Sequence, residues 1–243
     1  MSETRVWLVT GASRGIGLAT AKHALAAGDR VAIMARGEAV DQLAEELGDN
    51  CLALRADVSD PAQVGDAVQT LIGHWGRIDR VVNNAGYHRG GKIARLALED
   101  WQAVLDVNLT GALNVIKACD EQLQAGAAIV NVGAVVGFRG FPGDSAYAAS
   151  KSGIAGLTRA LAIEFASRDI TVTLVIPGLV LTEMTEGLSP KALESMRKKI
   201  PLQRYGEADE IGEVIVWVAG SRYMTGAFIP TDGGLMSSFG ILG

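Results

Sequence analysis

The chain has 243 residues, of which 49% are hydrophobic and 20% are charged, and its formal net charge is −5. This length can hold one large α/β domain or two small ones, and it is enough to bury a full core. The mild acidity and the lack of a Lys/Arg-rich run argue against a nucleic-acid surface. No apolar stretch reaches the roughly 18–20 residues that span a bilayer, and the N-terminus enters a strand pattern without the apolar core of a signal peptide.

The cysteines and histidines point to no metal or disulfide chemistry. Cys51 and Cys119 lie far apart and form no CxxC motif, so a reduced, cytoplasmic compartment is the default expectation. His23, His74 and His88 are scattered without metal-ligand spacing. We therefore predict no metal site and expect each histidine at the surface or at a helix end.

Short β-branched runs alternate with longer helical patterns along the chain. The strand candidates are Val6–Thr10, Arg30–Ala35, Cys51–Arg55, Asp79–Val82, Ala128–Val132, Thr171–Ile176 and Ala227–Pro230. The main helical candidates are Ile16–Ala27, Val40–Leu47, Pro61–Trp75, Leu98–Gln122, Ser145–Ser167 and Ala208–Ala219. Alternation of this kind, with almost continuously apolar strands, is typical of a parallel sheet covered on both faces. Without repeats or linkers, the pattern predicts one doubly wound, Rossmann-type α/β domain over residues 1–243, with a seven-stranded, mainly parallel sheet.

The segment Leu179–Arg204 breaks this alternation. It follows a strand and contains Pro190, Pro201 and a short charged helical pattern over Ala192–Lys199. Because ligands of such folds bind at the carboxyl ends of the strands, we predict that the segment is a lid over the substrate. The alternative is a solvated connector.

A glycine-rich turn, TGASRGIG over Thr10–Gly17, closes the first strand and opens the first helix. Glycine allows the tight turn and the close approach of a pyrophosphate, which the amides and dipole of the helix start then favour. The position between a strand and a helix supports a dinucleotide site. The predicted contacts in this turn are Gly11, Ser13, Arg14, Gly15, Ile16 and Gly17.

The end of the second strand indicates which dinucleotide binds. An NAD site has a carboxylate here for the ribose 2′-hydroxyl, whereas a 2′-phosphate requires cations. This chain has no acid at the strand end and continues with Arg36, which can hold the phosphate together with Arg14. The pattern favours NADP(H) over NAD(H). The alternative is a solvated Arg36 that pairs with Glu38.

Tyr147 and Lys151 are four residues apart on a predicted helix, so their side chains share one face. The ammonium group and a positive nicotinamide favour the phenolate, which should lower the pKa of Tyr147 from about 10 towards neutrality. We predict that Tyr147 exchanges a proton with the substrate while hydride moves between carbon and nicotinamide.

Together these motifs resemble the short-chain dehydrogenase/reductase family over essentially the whole chain, most closely its ketoacyl-reductase-like branch. The stretches that carry the resemblance are Thr10–Gly17, Asp57-Val58, Asn83–Gly86, Asn108, Tyr147–Lys151, Pro177-Gly178 and Asp232–Gly234. They occur in the order and at the spacing of the family.

The resemblance implies further site residues. Asn108 would hold a water that links Lys151 to solvent as a proton relay, and a polar residue inside a helix is costly unless something bonds it. The cofactor contacts implied by position are Asp57 and Val58 at the adenine, Asn84, Ala85 and Gly86 after the fourth strand, and Pro177, Gly178, Val180 and Thr182 at the nicotinamide.

The chain departs from the family at the serine that binds the substrate oxygen, because this position is Ala134. Alanine has no side-chain donor or acceptor. Ser145 is not expected to replace the serine, because it occupies a helix start where serine is an ordinary N-cap. Two explanations remain open: a deliberate serine-to-alanine substitution that slows turnover, or a natural variant in which Asn131, a backbone amide or a water orients the substrate.

These features predict an NADPH-dependent carbonyl reductase or secondary-alcohol dehydrogenase, slowed by Ala134. A 3-oxoacyl thioester on an acidic carrier protein is the alternative to a small ketone or alcohol as substrate, and a non-catalytic NADP(H)-binding sensor or partner subunit is the alternative of another class. The long helices carry apolar residues on more than one side, which suits burial against another subunit. The resemblance implies a homotetramer.

Overall fold

Seven strands form one sheet in the order β3-β2-β1-β4-β5-β6-β7. A computed structural model describes residues 4–181 and 189–238. The strands are β1 Val6–Thr10, β2 Arg30–Ala35, β3 Cys51–Arg55, β4 Ile78–Asn83, β5 Leu123–Val132, β6 Thr171–Pro177 and β7 Phe228–Thr231. All neighbouring pairs run parallel, which confirms the predicted doubly wound sheet. The strand order reverses between β1 and β4, where folds of this type open a crevice for ligands.

The continuous apolar strands are explained by helices on both faces of the sheet. All five residues of β1 are buried. Leu8 belongs to the core under one face, whereas Trp7 and Val9 belong to the core under the other. Because side chains alternate along a strand, both sides must be apolar when both are covered.

The helices mostly match the predicted ranges. They are α1 Gly15–Ala26, α2 Ala39–Leu47, α3 Pro61–Trp75, α4 Leu98–Leu105, α5 Gly111–Cys119, α6 Val136–Arg139, α7 Ser145–Glu164, α8 Pro190–Arg197 and α9 Ala208–Gly220. Helix α3 has the predicted bounds because its sequence marks both ends: the Asp60 side chain accepts hydrogen bonds from the amides of Ala62 and Gln63, and Gly76 ends the helix at φ +77°. None of the helices in the described ranges is long and apolar enough to cross a bilayer.

The prediction of one helix over Leu98–Gln122 is wrong in detail. A π-helical turn, Asp106–Thr110, separates α4 from α5, and a 3₁₀ turn, Asp120–Gln122, follows α5. The π turn contains Asn108, whose side chain bonds to another loop. The hydrogen bonds of such a turn span one residue more than those of an α-helix, and π turns occur often at functional sites. The four-residue helix α6 was not predicted, because four residues are too few to show a helical period.

The predicted lid lies only partly within the described residues. Val180 forms a parallel bridge with Gly206, whose amide donates to the Leu179 carbonyl at 2.9 Å. The short helix expected over Ala192–Lys199 is present as α8. Residues 182–188, including Thr182, and residues 239–243 lie outside the described residues.

Candidate active site

The glycine turn packs directly against the loop that follows β4. Gly11 has φ +62°, and a Cβ atom there would lie 2.7 Å from the Ala85 Cα. A Cβ atom on Gly17 would lie 2.5 Å from the Asn84 Nδ2. Both distances are shorter than real Cβ contacts, so the two loops meet only because these positions are glycine.

Hydrogen bonds join the same two loops. The Thr10 hydroxyl donates to the Val82 carbonyl at 3.2 Å and accepts from the amides of Asn84 and Ala85 at 3.1 and 3.0 Å. The Asn84 amide group donates to the carbonyls of Thr10 and Gly11, both at 3.0 Å. The sequence identified Asn84 and Ala85 but not the role of Thr10, a hydroxyl at the end of a buried strand.

The turn fits a pyrophosphate. Helix α1 begins at Gly15, with φ +55°, and no side chain caps it. The first amides of any helix have no acceptor within the helix, and the dipole there favours an anion. The predicted contacts Ser13, Arg14 and Ile16 lie in or beside this helix start. The residues present therefore fit a dinucleotide.

The guanidinium group of Arg36, which is predicted to bind the 2′-phosphate, is exposed. Arg36 follows β2 with a 67% exposed side chain, and its Nη1 lies 3.5 Å from the Asp57 Oδ2. Burial opposes ionisation of Asp57, but hydrogen bonds from Ser59 and the charge of Arg36 lower the pKa of that carboxyl. The alternative pairing of Arg36 with Glu38 is wrong, since Glu38 pairs with Arg55 at 3.4 Å.

Tyr147 and Lys151 lie on one face of α7, as predicted. The Lys151 Nζ is 5.6 Å from the centre of the Tyr147 ring and donates to the Val132 carbonyl at 2.9 Å. Lys151 is only 4% exposed, and burial lowers its pKa to about 8. This carbonyl at the end of β5 therefore holds the ammonium group beside the phenol.

The pKa of Tyr147 does not follow the prediction. Burial and, second, the negative charge of Asp144 raise the pKa of Tyr147 to about 12. The groups of the chain alone thus favour the neutral phenol, because the loss of water around the ring outweighs the nearby ammonium.

Asn108 is held by three hydrogen bonds. Its Oδ1 accepts from the Tyr87 amide at 2.7 Å, and its Nδ2 donates to the Tyr87 carbonyl and to the Ser150 hydroxyl, both at 3.0 Å. A Cβ atom on Gly86 would lie 3.7 Å from the Asn108 Oδ1 and 4.0 Å from the Lys151 Nζ. The structure thus brings Gly86, Asn108 and Lys151 together, and the expectation that something bonds the helical asparagine is confirmed. The water relay stays a prediction.

Ala134 lies just beyond β5, in a short stretch tied to β6. The amides on either side of it, of Gly133 and Val135, donate to the carbonyls of Val175 and Pro177 at 2.8 and 3.3 Å. Ala134 itself is partly buried, and its carbonyl accepts from the Gly137 amide at 3.0 Å. The backbone at this position is well held, but the side chain offers no oxygen.

The role considered for Asn131 is wrong. Asn131 is fully buried, accepts from Asn83 at 2.8 Å and donates to the Thr158 hydroxyl at 2.9 Å. Both of its polar side-chain atoms are therefore used inside the core. They join β4, β5 and α7 and are not available to a substrate.

The prediction that Ser145 caps α7 is also wrong. Asp144 occupies the cap position, although its side chain makes no cap hydrogen bond, and Ser145 is the first helical residue. The Ser145 hydroxyl is buried and has no hydrogen-bond partner in the described part of the chain.

Of the four residues predicted at the nicotinamide, Pro177, Gly178 and Val180 lie within the described residues and Thr182 does not. Pro177 ends β6, and the Gly178 amide donates to the Thr231 carbonyl at 3.0 Å. A Cβ atom on Gly178 would lie 2.6 Å from the Asp232 Cα, so glycine is needed where the two chain segments cross. Val180 is buried, as is Val58, which the family resemblance predicts at the adenine.

A histidine–aspartate pair next to Tyr147 was not predicted. The His88 Nε2 lies 2.9 Å from the Asp144 Oδ1, and this hydrogen bond raises the pKa of His88. The His88 ring meets the Tyr147 ring edge to face, with centroids 5.2 Å apart and planes at 81°. His88 is at the surface, as expected, but it also contacts the catalytic candidate. The two residues are 56 positions apart, so no sequence spacing signals the contact.

A glycine turn at the reversal point of a parallel sheet, together with a tyrosine–lysine pair at the same edge, defines the class of dinucleotide-binding oxidoreductases. Comparison with known proteins gives the particular family. A family model described as Enoyl-(Acyl carrier protein) reductase matches residues 11–236.

Several curated proteins are similar over nearly their whole length. A 3-oxoacyl-[acyl-carrier-protein] reductase of Synechocystis sp. is 39% identical over 242 residues, which cover 96% of this chain and 97% of that protein. Carbonyl reductase family member 4 of Danio rerio is 42% identical over 235 residues, which cover 96% and 98%.

Two solved structures share the fold at a TM-score of 0.90. One is a blue fluorescent protein from a metagenomic library in complex with NADPH, 34% identical, with 95% of this chain and 97% of that chain covered. The other is a mutant short-chain dehydrogenase/reductase of Serratia marcescens, 33% identical, with 96% and 98% covered.

The chain belongs to the short-chain dehydrogenase/reductase family. This confirms the predicted family, its ketoacyl-reductase-like branch, the Rossmann-type fold and the class of oxidoreductase that acts on carbonyl or alcohol groups. NADPH in one similar structure agrees with the predicted cofactor.

Proposed function

We propose that this protein is an NADP(H)-dependent reductase of ketones that also oxidises the corresponding secondary alcohols. The observation that carries the proposal is the Tyr147 ring with the Lys151 ammonium 5.6 Å from its centre, at the sheet edge where the glycine turn lies. A partly buried phenol beside a buried ammonium is suited to proton exchange with a carbonyl oxygen.

A bound NADP(H) would supply the hydride for the carbonyl carbon, or would accept it in the reverse direction. Tyr147 donates its proton to the carbonyl oxygen. Because its pKa is raised to about 12, the phenol is protonated at neutral pH, as reduction requires. Lys151 holds positive charge near the phenolate that forms, and the Asn108 turn connects Lys151 to solvent.

NADP(H) is the proposed cofactor because β2 ends without an acid and Arg36 follows it with an exposed side chain. Replacement of Arg36 by Asp should lower kcat/KM for NADPH and raise it for NADH, since the new carboxylate repels a 2′-phosphate and binds a 2′-hydroxyl. Arg30→Gln, a charge change at the opposite end of β2, is the control. An unchanged NADPH/NADH ratio in Arg36→Asp would contradict the assignment.

The substrate is proposed as a ketone, either a small molecule or a 3-oxoacyl thioester. The relative named as a 3-oxoacyl-[acyl-carrier-protein] reductase supports the thioester. The relative named as a carbonyl reductase supports the small ketone. Steady-state rates on a small ketone and on acetoacetyl thioesters, measured side by side, decide between them.

The function is tested by NADPH oxidation with a panel of ketones, using this chain and Ala134→Ser. Tyr147→Phe should lose the activity and keep NADPH binding, because only the exchanging proton is removed. If neither chain oxidises NADPH with any ketone, the enzymatic proposal fails. An ordinary NADPH dissociation constant without turnover would instead favour the non-catalytic sensor or partner subunit, although such a protein does not need Tyr147, Lys151 and Asn108 together.

We further propose that residues 1–243 form one domain, with residues 179–204 over the substrate. The bridge between Val180 and Gly206 brings the two ends of this segment together at the carboxyl edge of β6, which supports a lid. A cytoplasmic location stays a prediction, and Cys51 and Cys119 are both free thiols.

A further inference from the structure

We propose that a basic pocket beside Tyr147 binds an anionic group on the substrate, so that the preferred ketones carry a carboxylate or a phosphate. This inference rests on the proposed reductase function and narrows its substrate class. The pocket has a volume of about 700 Å³ and follows β4, and its lining residues are His88, Arg89, Gly90, Gly91, Lys92, Arg95 and Asp100.

The pocket has cations without matching acids. Asp100 is the acid in the lining, and its Oδ1 lies 3.5 Å from the Arg89 Nε. For Lys92 and Arg95 no ion pair is found within residues 4–181 and 189–238. The chain as a whole has a net charge of −5, whereas the pocket lining carries Arg89, Lys92 and Arg95 against the single acid Asp100. Such a group of cations attracts an anion and can hold it by charge-assisted hydrogen bonds.

Hydrogen bonds hold the loop that carries these cations at two points. The Gly91 amide donates to the Gly143 carbonyl at 2.8 Å, and Tyr87 is bonded through its backbone to Asn108. A Cβ atom on Gly90 would lie 3.1 Å from the Asp144 Oδ1, so the loop also packs closely against the start of α7. The loop that lines the pocket therefore packs against the segment that precedes Tyr147.

His88 connects the pocket with the reacting group. It lines the pocket on one side, and its ring meets the Tyr147 ring at 5.2 Å on the other. His88 and Asp144 together carry no net charge when the histidine is protonated, which leaves Lys92 and Arg95 as the attracting charges. An anion held by Lys92 or Arg95 would hold the substrate in the pocket that His88 lines, and His88 contacts Tyr147.

The test compares acetoacetate with methyl acetoacetate, an uncharged ester of the same ketone that is larger by one methyl group. The double variant Lys92→Gln/Arg95→Gln should lower the ratio of kcat/KM for acetoacetate over the ester by about tenfold or more, because each charge-assisted bond contributes on that order. The rate on the ester should change little. The control is Lys22→Gln/Arg30→Gln, which removes the same charge from exposed positions elsewhere and should leave the ratio unchanged.

A second pair of substrates identifies the source of the anion. Acetoacetyl-coenzyme A carries phosphates, whereas acetoacetyl-N-acetylcysteamine is an uncharged thioester. A loss in the pocket variant that is confined to the coenzyme A thioester assigns the pocket to a phosphate, and a loss confined to acetoacetate assigns it to a carboxylate. Unchanged ratios in both pairs overturn the inference.

Failure of the proposed function gives a different result. In that case no ketone of either pair is reduced by this chain or by Ala134→Ser. Calorimetric binding of 3-hydroxybutyrate to the NADP⁺-loaded protein then tests the pocket by itself. Weaker binding in the pocket variant than in its control supports the anion site, and equal binding overturns it.

Discussion

At the scale of single residues, the largest departure from the family pattern is Ala134. The amides on both sides of it donate to carbonyls of β6. The backbone therefore holds the side chain of residue 134 in a fixed position just after β5. A hydroxyl there would donate to the developing oxyanion of the substrate, whereas the methyl group of alanine cannot. The change removes one oxygen and leaves the fold intact.

A serine hydroxyl at position 134 should increase the rate of ketone reduction. We expect Ala134→Ser to raise kcat for ketone reduction by about 100- to 1000-fold, the effect of one preorganised donor in such a site. Single-turnover oxidation of NADPH measures the chemical step directly. A gain below about twofold, well under the effect of one such donor, would mean that another group already orients the carbonyl.

Ser145 supplies the control for that prediction. Its hydroxyl is buried and without a partner in the described residues, but it lies two positions before Tyr147, and side chains at that spacing on a helix point apart. Ser145→Ala should therefore leave kcat unchanged within about twofold in either background. A large loss would show that Ser145 replaces the missing serine.

The buried ammonium of Lys151 should make stability depend on pH. In the unfolded chain the lysine holds its proton up to the ordinary pKa of 10.5, whereas the folded protein releases it above about 8. Between these values the unfolded state binds more protons, so stability rises with pH. Relative to Lys151→Met, the free energy of unfolding should rise by roughly 2–3 kcal/mol between about pH 7 and about pH 10.

Urea unfolding of both proteins at the two pH values measures this difference. Lys151→Met should also be the more stable protein at neutral pH, because it buries no charge, while it loses catalysis. A wild-type stability that falls relative to the variant as pH rises would show that Lys151 is not buried as a cation.

At the scale of elements, the site depends on the contact between the β1–α1 turn and the loop after β4. Gly17→Ala should weaken NADPH binding and destabilise the fold by about 1–3 kcal/mol, because its methyl group would lie 2.5 Å from the Asn84 Nδ2 and from the Gly11 carbonyl oxygen. Thermal unfolding and fluorescence titration with NADPH measure the two effects.

Gly73→Ala is the matched control for this substitution. Gly73 lies inside α3, and a Cβ atom there meets nothing within 4 Å. Alanine is favoured over glycine in a helix, so this change should stabilise the protein by about 0.5–1 kcal/mol and leave NADPH affinity unchanged. If Gly17→Ala behaves like Gly73→Ala, the close packing of the two loops is not required.

At the scale of the whole molecule, we predict a homotetramer that buries the outer faces of α4, α5 and α7. Leu98 and Ile163 are each 80% exposed in the single chain, and Leu113 is partly exposed. A second subunit packed on these helices would cover such exposed apolar side chains. Light scattering should give four times the mass of one chain, and Ile163→Glu should reduce it.

Ile93→Glu is the control for the assembly. Ile93 is 79% exposed, like Ile163, but it belongs to a 3₁₀ turn outside the three helices. Its substitution should leave the mass unchanged. A wild-type monomer would overturn the predicted assembly.

The sequence by itself determined the sheet, the order of strands and helices, the glycine turn and the Tyr147–Lys151 pair. These are local features: an apolar run between turns marks a buried strand, and Asp60, Pro61 and Gly76 mark the ends of α3. The spacing of four residues puts Tyr147 and Lys151 on one face in any helix.

Only the tertiary structure decided what those side chains meet. His88 and Asp144 lie 56 positions apart in the sequence and meet beside Tyr147 only in the folded chain. Asn108 lies in a π turn and bonds to the backbone of Tyr87. The pKa of Tyr147 rises rather than falls, since it depends on how much water surrounds the ring. Residues distant in sequence leave no periodic signal, and burial is a property of the assembled fold.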